Sequence, residues 1–197
     1  MKQIIINEML FEDLMKGCKG ATAKDSCRPA LQYIKIENVS DDTIVAVSCN
    51  GYRASRMTFN CKNEGSERFA AYIKPFAFKA LPKGMDNVII SVDEKRTTRV
   101  EFKTLFGTMV YQFDFCDDWG FDIEKQFNIG HQHDREIGVD MNVLASACKI
   151  ISATVGYRPV AIMETSADKN KAFIMRSKGE GFTIEELVLP VRIYEEK

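Results

Sequence analysis

The feature that most constrains this chain is repetition: one order of elements, strand then helix then strands, recurs three times at a spacing of roughly 65 residues. In the first unit "KQIIIN" leads into "EMLFEDLMKGCKGA", where Leu10, Phe11, Leu14, Met15 and Cys18 fall at helical spacing and Gly17 and Gly20 weaken the C-terminal end. The branched, alternating runs "ALQYIKIENV" and "TIVAVSCN" follow as strands. The second unit reads "RFAAYIK", a short helix "PFAFKALPKG" with Pro75 near its first turn, then strands "NVIISVD", "TRVEFKT" and "GTMVYQFDF". The third reads "REIGVD", the helix "MNVLASACKIISA", then "PVAIMETSA", "KAFIMRSK" and "EELVLPVRIY". The polar, weakly patterned "DDWGFDIEKQFNIGHQHD" is the expected linker before the third unit.

Three such units predict an α+β fold in which antiparallel strands form continuous sheets outside and the helices line one face. Turn signals such as "NVSDD", "DEKRT" and "KTLFGT" suit hairpin connections. Two units, 1–66 and 67–128, make one closed domain over 1–128. Residues 129–197 are then a half domain without a partner in its own chain, and its unpaired sheet edge is a template for association with another copy. The chain ends on an apolar, strand-like run from Val188 to Tyr194. Termini fray unless they are docked, so this run either closes a sheet or walls a groove.

Composition narrows the functional classes. With 197 residues and 45% hydrophobic content, the chain can bury a sizeable core in one large or two small domains. It has no apolar run of about eighteen residues to cross a bilayer. "MKQIIINEMLFEDL" carries acids where a signal peptide has its uncharged core, so the expected location is cytoplasmic. The six cysteines, Cys18, Cys27, Cys49, Cys61, Cys116 and Cys148, are scattered and read as small hydrophobes. A net charge of -1 excludes a coating of nucleic acid held by bulk charge, but it allows a local basic lining. No nucleophile, base or metal constellation is visible. His131 and His133 stand as "HQH" in the linker and leave any metal site unfinished, so neither enzymatic activity nor a cofactor is expected.

Two separated motifs carry a family resemblance. "RPALQYIKIENVSDDTIVAVSCNGYRASR" resembles the start of the middle domain of the bacterial sliding clamp, the DNA polymerase III beta subunit, where an R-P-x-L strand precedes a sequence like T-D-G-[HY]-R-L-A. The tail Leu189, Pro190, Val191, Arg192, Ile193 is similar to the clamp's C-terminal M-P-[MV]-R-L. The chain departs from the pattern in having Cys49 and Asn50 for Thr and Asp, and Ala54 for Leu; "GFDIEKQFN" lacks the family's Phe-Pro-Asp proline. The match covers the middle domain plus the last half of the third, with nothing corresponding to the first.

The resemblance implies a shortened, non-catalytic processivity factor that holds double-stranded DNA without reading it. The helices would face the DNA, with Lys16 and Lys19 on the first, Lys79 and Lys83 on or after the second, Lys149 on the third, and Lys24 and Arg28 in the loop before the second strand. Such contacts are weak phosphate contacts, which lysines suit. A peptide groove would take Leu31, Cys49, Gly51, Tyr52, Arg53 and Ala54 from the first unit and Leu187, Leu189, Pro190 and Val191 from the third. Its ligands would be DNA polymerase and other proteins carrying clamp-binding peptides, with a clamp loader and further copies of the chain as additional partners. The alternative reading is a clamp-derived binding module that forms no ring and competes for the same peptides.

Overall fold

The computed structural model describes residues 2–60, 68–119, 123, 127, 139–156, 159–164 and 172–190. Strand β1 (Lys2–Asn7) buries Ile4 and Ile6 and runs directly into α1 (Glu8–Lys19). The junction is made by Asn7, whose Oδ1 accepts from the Leu10 amide at 2.8 Å and satisfies one of the free donors of the first turn. Phe11, Leu14, Met15 and Cys18 form the buried stripe of this helix. A 3-10 turn at Pro29–Gln32 precedes β2 (Ile34–Ser40), β3 (Thr43–Cys49) and β4 (Arg53–Asn60).

β5 (Ala70–Ile73) is followed by β6 (Met85–Val92), β7 (Thr98–Thr104) and β8 (Gly107–Phe113). The helix α2 (Met141–Val155) is capped by Asp140, whose Oδ1 accepts from the amides of Asn142 and Val143. β9 (Ile162–Glu164), β10 (Phe173–Gly179) and β11 (Phe182–Val188) complete the described elements. Among the described residues no helix is long and apolar enough to cross a membrane.

The fold is α+β, built from two antiparallel sheets. One has four strands in the order β1-β6-β7-β8, the other seven in the order β5-β2-β3-β4-β11-β10-β9. Strands cross between repeats: β1 pairs with β6, and β5 pairs with β2. α1 packs against both sheets, while α2 packs on β10, β11 and α1. One apolar core joins these layers, with Phe11, Phe78 and Phe102 in edge-to-face contact at its centre.

Four expectations change. The helix read into "PFAFKALPKG" is a single 3-10 turn, Pro75–Ala77. Phe78 there is extended and buried against Phe11, Phe102, Tyr111 and Phe113, and Pro82 leaves no room for a longer helix. A strand missing from the sequence reading, β4, is the pivot of the larger sheet. The third unit does have a partner in its own chain, because β11 pairs with β4 from Phe182↔Phe59 to Val188↔Arg53. The C-terminal strand ends at Val188, and residues 191–197, like the linker histidines His131 and His133, lie outside the described residues.

Candidate functional site

The β4–β11 junction gathers residues from distant parts of the sequence. Asn50 Oδ1 accepts from the amides of both Tyr52 and Arg53 at 3.1 Å, closing a tight turn. Gly51 in that turn has φ +91, a conformation that suits glycine. A Cβ at Gly51 would lie 3.7 Å from Leu31 Cδ1, so Leu31 stands beside the turn. The loop therefore holds Tyr52 out, 73% exposed, at the start of β4. Across the ladder Ala54 faces Leu187 and Arg53 faces Val188. Leu189 and Pro190 continue past the last pair on the Tyr52 side, with Leu189 42% exposed. Nine of the ten groove candidates thus come together at one end of the sheet, and Val191 lies outside the described residues.

The nine are not equivalent. Ala54 and Leu187 are buried in a small cluster on the outer face of the sheet with Val47, Ala172 and Ile174. Ile123 and Phe127 complete this cluster, while Trp119 and Cys49 border it. Burial pushes the Cys49 thiol above its ordinary pKa, with a backbone contact from Gly51 opposing. Phe127 also receives the Arg56 guanidinium 4.6 Å from its ring centre. The sequence reading missed Ile123 and Phe127; their apolar i, i+4 spacing inside a polar stretch was the available signal. Arg53 turns the other way, toward the helices, where its Nη2 donates to the Gly20 carbonyl at the end of α1.

The basic candidates divide. Lys16, Lys19 and Lys79 line one open depression of about 380 Å³ between α1 and the segment after the 3-10 turn. Lys16 is drawn to its own helix, with Glu12 at 3.5 Å and Asp13 at 3.4 Å. Burial raises the Asp13 pKa although Lys16 pulls it down. Lys19 sits 5.1 Å from the Phe76 ring centre. Lys24, Arg28, Lys83 and Lys149 are exposed, Lys149 on α2 and the other three on loops. Among the described residues no group of three His, Cys, Asp or Glu side chains could hold a metal ion.

No protein-family model and no curated protein sequence matches this chain. Solved structures do. The DNA polymerase III subunit beta from Pseudomonas aeruginosa superposes with a TM-score of 0.69 at 12% identity, over 98% of this chain and 67% of that one. The chain has the sliding-clamp fold. A Bacillus subtilis DNA polymerase sliding clamp gives a TM-score of 0.62 at 13% identity, over 98% of this chain and 64% of that one. The A. fulgidus PCNA, solved with the C-terminal region of FEN-1 bound, gives 0.63 at 10% identity over 100% of both chains. This clamp-like chain therefore spans about two thirds of the length of the bacterial clamps it resembles.

Proposed function

We propose that the chain is a non-catalytic, cytoplasmic, sliding-clamp-like processivity factor, which binds duplex DNA without sequence specificity and recruits DNA polymerase and other replication proteins through a peptide groove at the β4–β11 junction. The observation that carries this reading is the register that sets the Tyr52 turn beside the Leu187–Pro190 segment. An exposed aromatic and an exposed leucine beside buried apolar neighbours make a peptide anchor site. The FEN-1 region bound to a similar PCNA supports a peptide ligand. Lys16, Lys19 and Lys79 supply a modest basic rim of the kind weak phosphate contacts need. A division into 1–128 and 129–197 belongs to the same reading.

Assembly into a ring would need free sheet edges. β8 lies at the edge of its sheet, and no charged residue stands between Thr104 and Phe113. Natural edge strands are usually blunted by charge, so an uncharged one invites strand pairing with a further copy. A closed ring would in turn call for a clamp loader. The second reading, a binding module without a ring, is favoured by the pairing of Lys16 with Glu12 and Asp13, which spends part of the positive field on the helix itself.

Leu189→Lys tests the groove. Its backbone bonds persist, while a charge in a desolvated anchor site costs about 2 kcal/mol of binding, or roughly thirtyfold in affinity. Calorimetric titration with a peptide rich in Gln, Leu and Phe is expected to show that loss, with the melting temperature within about 2 °C of the parent. A folded variant that binds the peptide as tightly as the parent contradicts the groove.

A further inference from the structure

Beneath the β4–β11 junction, on the helix side of the sheet, a row of polar side chains crosses an otherwise apolar core. Ser48 faces Ser55, Ser55 faces Glu186, and Glu186 faces Met175. Ser48 Oγ donates to the Cys18 carbonyl at 2.8 Å, and the Arg53 guanidinium, two residues along the same face, donates to the Gly20 carbonyl. Glu186 is fully buried, and neither of its carboxyl oxygens has a hydrogen-bond partner; the same holds for Arg53 Nη1 and Ser55 Oγ. A buried carboxyl without hydrogen bonds is costly when charged, and a leucine would fill the position at no such cost.

Strand alternation sends Ala54 outward and Arg53 inward, so the cation next to Tyr52 is withdrawn from the groove. Its anchor, Gly20, is also where α2 meets α1: a Cβ there would stand 2.5 Å from Ile150 Cδ1 and 3.5 Å from Arg53 Nη2. Arg53 is thus a strut from the lip of the groove to the helix pair. We propose that Glu186 is a positioning residue whose carboxyl holds the Arg53 guanidinium beneath the sheet, so that the groove presents no cation and selects apolar peptide anchors irrespective of flanking acidic residues. The specificity part rests on the peptide-groove reading above.

The hold on Arg53 has a pH signature. Burial pushes the Glu186 carboxyl from an ordinary 4.5 up to about 8, while the nearby Ser55 hydroxyl, short of hydrogen-bonding geometry, and Arg53 pull it down. Facing it are Arg53 and Ser55 from β4, Ser48 from β3, Met175 from β10, and Cys18 from α1, whose thiol is pushed up to about 12 by burial and by the Glu186 charge. The ionisable side chains of α2, Cys148 and Lys149, are exposed. Because the folded state binds this proton more tightly than the unfolded state, the stabilisation is complete below 4.5 and is lost as pH rises through about 8.

Thermal unfolding followed between about pH 5 and pH 9 tests this directly on the full chain. The parent's melting temperature is expected to fall across the range, and Glu186→Gln, which cannot titrate, to fall less and to melt above the parent at the alkaline end. Arg53→Met removes the cation that favours the charged carboxyl, so it is expected to move the midpoint of the fall to higher pH. Parallel curves for parent and Glu186→Gln, or an unmoved midpoint in Arg53→Met, overturn the hold on Arg53. For specificity, two Leu–Phe peptides differing only by Asp or Asn beside the anchors should bind the parent within about twofold of each other. Selective loss of the Asp peptide in Arg53→Met would make Arg53 a direct contact and overturn the proposal. If neither peptide binds the parent, the groove reading fails by itself, and the melting curves still decide the role of Glu186.

Discussion

At residue 17 a missing side chain sets how closely α1 lies on the larger sheet. A Cβ there would stand 2.1 Å from Met57 Sδ and 3.2 Å from Ile184 Cδ1. In a free helix, Gly→Ala gains about 1 kcal/mol. Here the overlap with β4 and β11 outweighs that gain, and Gly17→Ala is expected to lower stability by about 1–2 kcal/mol in denaturant unfolding; a more stable variant would contradict the contact. The glycine is visible in the sequence, where it reads as a weak helix end, but its packing role is not, because the partners are 40 and 167 positions away along the chain. Arg53 teaches the same lesson. Its place in the Asn-Gly-Tyr-Arg loop is legible, yet its direction depends on where β4 begins, and shifting a strand by one residue reverses every side chain.

At the scale of elements, the two helices were legible because both local signals agree: apolar stripes at helical spacing and a capping Asn7 or Asp140. The short helix after Pro75 was not, since an aromatic cluster formed from four other places in the chain captures Phe78. β4 escaped notice because Arg53 and Arg56 interrupt its apolar pattern. Arg56 turns out to be one end of a ladder on the outer face of the sheet. It pairs with Glu185, whose other oxygen accepts from Arg176 Nε at 2.7 Å, and Arg176 Nη1 reaches Glu164 at 2.7 Å. These charges stitch β4, β11, β10 and β9 together, with Glu185 almost wholly buried between two arginines. Removing it leaves both cations short of a partner. Glu185→Gln is expected to cost about 1–3 kcal/mol, and amide hydrogen exchange should accelerate in β10 and β11 while β6 and β7 stay protected. Equal acceleration in both sheets would show that the ladder does not act locally.

At the scale of the whole molecule, strand exchange between repeats and the β4–β11 pairing make the larger sheet continuous from β5 to β9. The sequence led to repeats, antiparallel sheets and helices on one face. It did not lead to the partner of the third unit, because pairing between β4 and β11 spans more than 120 positions and rests on a strand that local pattern did not reveal. With that pairing made, the edges left for assembly shift: β8 carries Phe106 fully exposed at its hairpin tip, and β9 closes the other sheet with Ile162 and Met163 exposed. A clamp acts on DNA by surrounding it, and a chain spanning two thirds of a bacterial clamp needs further copies to do so. Light scattering of the purified protein at about micromolar concentration, with and without duplex DNA, measures this directly. The account predicts a mass of at least twice the 22.4 kDa chain. A species that stays at 22.4 kDa under both conditions would contradict the clamp and leave the binding module.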